Sequence, residues 1–346
     1  MDDGGWPQKL QQSVLYADLD DQRPGGSDVS QTETTAAHIN SDTYLLDGFK
    51  WFSSATDSDV SLALARTGDP SQGSRSLSLF LIPLNPSLYL NIKGPQKQSA
   101  RNGILIHRLK NKFGTHIVPT AELSLQETSA QLIGGLNQGV KTISSVLNIT
   151  RIHSGVASVG YVRKALSLAT SYASVRRTGP ERTLLRDLPL HLNELAKLTV
   201  TYKALAHFAF EVVGLLGKVE CETADESVRH RLRVLTPVLK AFCAEKGVQA
   251  TIECMTALGG EGYMEENGIG RLVRDGIVEK IWEGTTTVLS LDMVKAFKTR
   301  GSIEALSQAS RPSLFRLCPT ANFPLQVGRS YRLAREGGVT GQSSGH

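Results

Sequence analysis

The chain has 346 residues, of which 40% are hydrophobic and 21% charged, so it has the composition of an ordinary globular protein and the length for two domains. Its formal charge of +5 is compatible with phosphate-bearing ligands or nucleic acid and is too weak to choose between them. The first residues, MDDGGWPQKLQQ, do not form a secretory signal, and no apolar run has membrane-spanning length. We therefore expect a soluble intracellular protein, cytoplasmic or organellar, without membrane insertion.

The spacing of the cysteines and the pattern of the first residues give two further expectations. The cysteines show no CxxC or CxxxH spacing, which argues against a structural metal and for thiols in a reducing compartment. They are Cys221, Cys243, Cys254 and Cys318. Residues 1–14 carry no periodic pattern, so we interpret them as a disordered N-terminal remnant.

Residues 15–128 have the texture of β-structure. Short apolar or alternating runs are separated by clusters of Gly, Pro, Asn and Ser, and helical spacing is absent. The clearest runs are 43–49, 60–65, 77–83 and 103–108. We predict an antiparallel β-barrel or sandwich of about a hundred residues.

Residues 129–300 change to a helical period. One apolar stripe predicts the first helix and consists of Val159, Val162, Leu166, Ala169 and Ala173. A second helix is predicted to begin near Asp187 and Pro189, because helix starts favour an acid and a proline, and to end at Gly217. A third is predicted from 232 to a stop at Gly259 and Gly260. A fourth follows residue 287, with one broad apolar face formed by Val288, Leu289, Leu291, Met293, Val294 and Phe297.

Four long helices with short connections bury their stripes most simply as an antiparallel bundle. The predicted fold class is therefore α+β multidomain, with an antiparallel β-barrel or sandwich domain followed by an antiparallel four-helix bundle. Residues 301–346 are rich in Ser, Gly, Pro and Arg, and we predict a mostly disordered tail.

The stretch 281–287, IWEGTTT, is the strongest candidate for chemistry. Glu283 lies between the indole of Trp282 and Gly284, and a helix follows, so we expect it on a bend with a threonine capping the helix amides. An apolar wall raises the pKa of a carboxyl toward the working pH, which suits a general base. The alternative is a charged residue at a helix start, where acids are favoured.

The run 257–297 contains ALGGEGY, MEENGIGRLVRD and IWEGTTT and resembles the C-terminal signature of the acyl-CoA dehydrogenase flavoproteins. The resemblance covers about residues 23–297 and is closest to the alkylation-response, isovaleryl-CoA-dehydrogenase-like branch. It implies FAD as the cofactor, and it makes Glu283 the base that removes the α-proton of an acyl thioester. Family members also carry a helical domain before the β-domain, for which this sequence has almost no counterpart.

In the β-half, PGGSDVS and DGFKWFSS resemble two flavin-binding elements of the family. The resemblance assigns flavin contacts to Gly26, Ser27, Trp51 and Ser53. The alternatives are a plain turn for the first element and a core or interface aromatic for Trp51. Asp20 and Asp21 depart from the family's usual Met-Thr-Glu run, and an acid there would put negative charge beside a flavin that becomes anionic on reduction.

In the helical half, Arg151 is expected to open the first helix and corresponds to a basic residue near the catalytic carboxylate, where it would keep Glu283 ionised. An ordinary ion pair is the alternative. VRRTGPER resembles an Arg-x-x-Phe-Gly element that grips the flavin dinucleotide's pyrophosphate in a neighbouring subunit, although Thr178 replaces the phenylalanine. The remaining cofactor contacts that the resemblance implies come from Arg176 or Arg177, Gly259, Gly260, Thr285 and Thr287.

The sequence assigns no catalytic or binding role to two further segments. Residues 112–123, KFGTHIVPTAEL, resemble a structural strand and turn. In RLVRD, Arg271, Arg274 and Asp275 form either an ion-pair array at a subunit interface or a solvated helix face.

Three functions remain open. The first is α,β-dehydrogenation of an acyl-CoA by a homodimer or homotetramer assembled through the bundle, with the β-hydride passing to flavin N5. The second is a flavoprotein that binds duplex DNA through basic residues of the bundle. These are Arg176, Arg177, Arg182, Arg186, Arg229, Arg231 and Arg233. The third is a truncated, inactive paralogue that folds and dimerises, which Asp20, Asp21 and Thr178 favour.

Overall fold

The structure is a computed structural model that describes residues 29–84 and 101–307. Several predictions from the sequence therefore lie outside the described residues. They are the N-terminal remnant at 1–14, the acids at 20 and 21, the flavin contacts of Gly26 and Ser27, the thiol of Cys318 and the predicted tail from 308 onward.

Six strands form the β-domain, in which an outer and an inner face alternate along each strand. They are β1 (Thr35–Asn40), β2 (Thr43–Ser54), β3 (Val60–Arg66), β4 (Leu77–Pro83), β5 (Ile104–Leu109) and β6 (Thr120–Ile133). The sheet order is β2-β1-β3-β4-β6-β5, and β2 also pairs with β6, which closes the sheet into a barrel. The pairings are antiparallel except for a single parallel contact between β1 and β3. Inward side chains such as Leu46 and Phe80 fill the barrel core.

The four predicted apolar runs coincide with β2 to β5, and the strand and turn expected at 112–123 include only the first four residues of β6, whereas the sequence did not identify β1 as a strand. β1 is mostly exposed, so it lacks the alternation that marks a half-buried strand. β6 continues to Ile133, past the predicted domain boundary at 128, and Gly134 then turns the chain with a φ of +74°.

Five helices follow: α1 (Gly139–Ala173), α2 (Pro189–Glu220), α3 (Glu226–Thr256), α4 (Ile269–Val278) and α5 (Thr286–Phe297). The predicted stripe of α1 is buried at all five positions, and α1, α2 and α3 pack around two apolar clusters. A short hairpin, β7 (Arg177–Thr178) with β8 (Thr183–Leu184), joins α1 to α2. The predicted fold class, a β-barrel domain followed by a helical bundle, is confirmed.

Two details of the bundle differ from the sequence prediction. The fourth predicted helix, α5, has 12 residues rather than the 31 to 35 of the three long helices, and the ten-residue α4 precedes it. Residues 302–307, at the start of the predicted disordered tail, are helical, and Ser302 and Ala305 are buried there.

α2 is long and apolar enough to cross a membrane by length and composition alone, so the expectation that no apolar run reaches that length is wrong for this helix. Its central stretch carries charge only at Lys203 and Glu211. The inner face of α2, including Leu205 and Val212, nevertheless packs against α1 and α3 in an apolar cluster. We therefore describe α2 as a bundle helix with an apolar outer face.

Two close contacts join the domains. A Cβ atom at Gly139, the first residue of α1, would lie 2.6 Å from the backbone of Ser78 in β4. A Cβ atom at Gly114 would lie 2.6 Å from the carbonyl oxygen of Arg274 in α4, and the Thr115 amide donates to Asp275 Oδ1 at 2.6 Å. Glycine at these two positions lets the barrel and the bundle meet without a gap.

Candidate active site

A cleft of about 420 Å³ lies between the barrel and the bundle, within the range of small-molecule sites. One wall comes from β2, the segment 112–118 and the start of β6, and the other comes from α1 and the segment 278–288. The lining residues are Val29, Phe52, Ser54, Lys112, Thr115, Val118, Thr120, Leu147, Arg151, Val278, Ile281, Trp282, Glu283, Gly284, Thr285 and Val288.

Glu283 lies on the turn between α4 and α5, as its sequence context predicts, and only 6% of it is exposed. Thr150 Oγ1 donates a hydrogen bond to Glu283 Oε2 at 2.8 Å. The other carboxyl oxygen, Oε1, is buried and has no hydrogen-bond partner among the described residues. An unpaired carboxyl oxygen beside a cleft is available to accept a proton from a ligand.

Burial raises the pKa of Glu283 from its ordinary value of 4.5 to about 7. The Thr150 hydrogen bond and the positive charges of Arg151 and Lys240 oppose this rise, and the negative charge of Glu279 adds to it. A carboxyl with this pKa is well suited to general-base chemistry near neutral pH.

Arg151 lies close to Glu283, although it does not open the first helix as the sequence suggested. α1 begins at Gly139, so Arg151 lies about three turns inside it. Its Nε donates to the backbone oxygen of Glu283 at 3.2 Å, and its terminal nitrogen pairs with Asp292 Oδ2 at 2.8 Å. Arg151 therefore acts on the Glu283 carboxylate through its charge rather than through a direct ion pair.

The surroundings of Trp282 and Thr285 differ from expectation. Trp282 lines the cleft, but its indole N–H donates to Glu279 Oε2 at 2.6 Å. Thr285 occupies the N-cap position of α5 without a side-chain hydrogen bond, so the predicted threonine cap is wrong. Thr285 lines the cleft instead, and Thr287 is exposed in the first turn of α5.

The cleft-facing residues of β2 are Phe52 and Ser54, whereas Trp51 and Ser53 do not line the cleft. A register shift between Lys50 and Ser53 interrupts the alternation of β2 at this point. The Ser53 hydroxyl is buried and has no hydrogen-bond partner in the described part of the chain, and the ammonium of Lys110 lies 3.1 Å from the centre of the Trp51 ring. The flavin contacts of Trp51 and Ser53 stay predictions.

The segment 112–120 contributes more to the site than its sequence indicated. Lys112, Thr115, Val118 and Thr120 all line the cleft. Lys112 Nζ donates to the carbonyl oxygens of Thr115, at 2.8 Å, and Val118, which orders the loop.

The charged residues of RLVRD have separate partners. Arg274 forms a two-bond pair with Glu265, and Asp275 accepts from the Thr115 amide of the barrel. Arg274 and Asp275 therefore do not pair with each other.

The other predicted cofactor residues lie at the opposite end of the bundle. Ala173 and Leu258 share one apolar cluster, so Arg176 and Gly259, which follow them closely, lie at one end. Arg151 is about 33 Å from Ala173 along α1. The structure therefore does not bring Arg176, Arg177, Gly259 or Gly260 to the cleft of the same chain.

These residues are accessible at that end. Arg176, Arg177, Gly259 and Gly260 are exposed, and a Cβ atom at either glycine would meet nothing within 4 Å. Within GGEGY the fold requires a glycine at Gly262, where a Cβ atom would lie 1.9 Å from the Met255 carbonyl oxygen, and favours one at Gly259, whose φ of +62° lies in the left-handed region. Gly259 and Gly260 leave open space beside the backbone.

Both domains match models of known protein families. Residues 22–128 match the middle domain of acyl-CoA dehydrogenases, and residues 137–297 match their C-terminal domain. The chain belongs to the acyl-CoA dehydrogenase family. Members of this family are FAD-dependent flavoproteins.

Two curated acyl-CoA dehydrogenase relatives align with most of the chain. Acyl-CoA dehydrogenase family member 11 of Caenorhabditis elegans is 43% identical over 287 residues, which cover 82% of this chain and 45% of that protein. AidB of Escherichia coli is 30% identical over 289 residues, which cover 83% of this chain and 49% of that protein. The chain thus spans about half the length of these relatives.

Two solved structures share the arrangement of the barrel and the bundle. The apo form of Bd2924 has a TM-score of 0.76 and 44% identity, and the match covers 84% of this chain and 56% of that one. The C. elegans ACDH-11 structure in complex with C11-CoA has a TM-score of 0.75 and 41% identity, over 83% of this chain and 48% of that one.

Proposed function

We propose that the chain carries the base and the cleft of an FAD-dependent acyl-CoA dehydrogenase, which oxidises an acyl-CoA to its α,β-enoyl form. The observation that carries this proposal is the unpaired, buried Oε1 of Glu283 at a cleft between the two family domains. The relationship to a protein solved with C11-CoA supports an acyl-CoA as the substrate class. The identity to AidB supports a place in the alkylation-response branch.

In this mechanism Glu283 removes the α-proton of the thioester through Oε1, while Thr150 holds Oε2. Because the pKa of Glu283 is about 7, the carboxylate is substantially ionised at neutral pH and still basic enough to accept a proton. Arg151 and Lys240 favour the ionised form by their charge. Glu283 is only 6% exposed, and this burial limits the access of water to the base.

The lining of the cleft fits a flat ring with a polar edge. Phe52 and Trp282 supply aromatic surface, and Ser54, Thr115 and Thr285 supply hydroxyl groups. These residues would hold the ring system of FAD, and Thr287 lies near the same end of α5. A bound flavin would accept the β-hydride of the substrate at N5.

An absorption spectrum of the purified protein tests the proposal. We expect flavin bands, either as isolated or after addition of FAD, and we expect them to bleach when an acyl-CoA is added without oxygen. Straight-chain and branched acyl-CoAs of increasing length should be compared. A protein that binds no FAD and shows no bleaching with any of them would contradict the proposal.

We also propose that a second copy of the chain completes the cofactor site. The outer face of α2 exposes large apolar side chains, including Leu190, Val200 and Phe210. Arg176 or Arg177 and the Gly259–Gly260 backbone would then reach the pyrophosphate in the neighbouring subunit. Sedimentation of the protein should show a dimer or tetramer that Phe210→Asp dissociates, and a monomer at all concentrations would contradict this.

Mixing two inactive variants tests whether the site is shared. One copy carries Glu283→Gln, and the other carries Arg176→Ala with Arg177→Ala. In a mixed dimer, one site receives an intact base from the second copy and intact arginines from the first. We expect activity to return on mixing, whereas no return would show that these arginines do not act between subunits.

The structure offers less support for a DNA-binding surface. Arg231 pairs with Glu211, and Arg233 pairs with Asp292, so two of the basic residues have acidic partners within the chain. DNA binding and the inactive paralogue stay predictions of the sequence.

A further inference from the structure

Lys240 is a buried lysine beneath the turn that carries Glu283. It lies on α3, and only 1% of it is exposed. Its Nζ donates a hydrogen bond to the carbonyl oxygen of Gly284 at 2.6 Å. Burying an ammonium group is costly unless it is hydrogen-bonded or near a compensating charge, so this position requires an explanation.

The turn that Lys240 contacts has an unusual backbone. Glu283 has a φ of +60°, in the left-handed region that side-chain-bearing residues rarely adopt, and Gly284 has a φ of +105°. Arg151 donates to the carbonyl oxygen of Glu283, and Lys240 donates to the next carbonyl oxygen. Two cations from two helices therefore hold successive peptide groups of a strained turn.

Glu279 provides negative charge behind the same turn. It is buried, and it accepts hydrogen bonds from Ser154 Oγ at 2.5 Å and from the Trp282 indole at 2.6 Å. Burial lowers the pKa of Lys240 to about 8, and the negative charges of Glu279 and Glu283 oppose this lowering. Glu279 thus fixes Trp282 on one side of the catalytic carboxyl and compensates the buried lysine.

We propose that Lys240 is a positioning residue that holds the Gly284 carbonyl and thereby fixes the left-handed backbone that places Glu283 at the cleft. Glu279 is its charge partner and anchors the neighbouring Trp282. The importance of this arrangement for catalysis rests on the proposed function, whereas the arrangement itself does not depend on a bound flavin.

Hydrogen exchange measures the fixation of the turn. In Lys240→Met the backbone amides of 281–289 should exchange about tenfold faster, because a hydrogen bond from a charged donor is lost. Lys246→Met removes an exposed lysine from the same helix and should leave these amides unchanged. Lys240→Arg keeps a cationic donor and should restore slow exchange. Equal exchange in Lys240→Met and Lys246→Met would overturn the proposal.

The titration of Glu283 provides a readout that general destabilisation does not move. Arg151, Lys240 and Glu279 are the charged groups that act on this carboxyl. Loss of the Lys240 charge should raise the pKa of Glu283, measured by carboxyl carbon NMR, and the double variant Lys240→Met with Glu279→Gln should bring it back. An unchanged pKa in Lys240→Met would overturn the proposal.

The double variant also removes both buried charges, so it remains informative if Lys240→Met alone does not fold. The double variant still lacks the donor to the Gly284 carbonyl oxygen. We therefore expect fast hydrogen exchange at the backbone amides of 281–289 and a nearly unchanged pKa of Glu283. Slow exchange would overturn the proposal. These measurements need neither flavin nor substrate, so they distinguish a failure of the positioning role from a failure of the proposed function.

Discussion

The polar residues at the two ends of the helical bundle differ in burial. At the cleft end, Glu283, Lys240 and Glu279 are buried, and their hydrogen bonds join α1, α3 and the turn between α4 and α5. At the far end, Arg177 and Gly259 are exposed, and Gly259 has open space beside it. A residue that performs proton transfer needs a fixed, water-poor setting, whereas a residue that binds a neighbour's ligand must stay accessible.

This difference indicates that one chain builds the proposed base and its surroundings by itself, while the residues that we propose bind phosphate are accessible to another molecule. A change at the cleft end should therefore have a larger effect than a matched change elsewhere.

The largest expected effect follows removal of the base. Glu283→Gln should lower the rate of flavin bleaching by acyl-CoA by about a hundredfold or more, because a positioned general base contributes that much. Glu261→Gln, an exposed change at the far end, should leave the rate unchanged. Equal rates in both variants would remove the distinction between the two ends.

The pH dependence of stability is the next largest effect. Because burial raises the pKa of Glu283 from 4.5 to about 7, its neutral form is favoured in the folded protein. The associated stability is fully present below about pH 4.5 and is lost as the pH rises through about 7. Glu283→Gln should therefore gain stability relative to the unaltered protein between pH 4.5 and 8, by about 3 kcal/mol at most.

Chemical denaturation of both proteins at several pH values measures this difference. A difference that stays constant across the range would show that the carboxyl has an ordinary pKa.

Much of the fold was visible in the sequence, because its apolar residues follow one period in each domain. The stripe from Val159 to Ala173 identified α1, and IWEGTTT identified the turn with Glu283. β1 and the full length of β6 were missed, since β1 is largely exposed and no alternation marks it.

The support around Glu283 was harder to predict, because it comes from residues distant in the chain. Lys240 donates a hydrogen bond to Gly284, 44 positions later in the sequence, and Thr150 donates one to Glu283, 133 positions later. Only Glu279 had a local signal, since it precedes Glu283 by one helical turn. Phe52 rather than Trp51 lines the cleft because of the register shift between Lys50 and Ser53 in β2. No residue pattern in the sequence indicated that shift.

A smaller effect is expected from the ion pairs that surround the turn. Asp292 accepts hydrogen bonds from Arg151 and Arg233 and is partly buried. Asp292→Asn should lower the free energy of unfolding by about 2 kcal/mol, because it leaves the half-buried Arg151 without its acid. Thermal and chemical unfolding measure the change. A loss no greater than that of Glu265→Gln, in an exposed ion pair, would contradict this prediction.

The smallest effect is expected at the exposed pair of Arg274 and Glu265. Glu265→Gln should change the free energy of unfolding only slightly, although Glu265 accepts two hydrogen bonds from Arg274, because water and salt screen exposed charges. The same unfolding measurement applies, and a loss equal to that of Asp292→Asn would erase the contrast between buried and exposed pairs.

The most direct test is a titration of the glutamate side chains by carboxyl carbon NMR in the unaltered protein and in Glu283→Gln. The account predicts a resonance with a midpoint near pH 7 that is missing from the variant. If the resonance that disappears in Glu283→Gln titrates near pH 4.5 instead, Glu283 is an ordinary solvated acid, and the proposed base is contradicted.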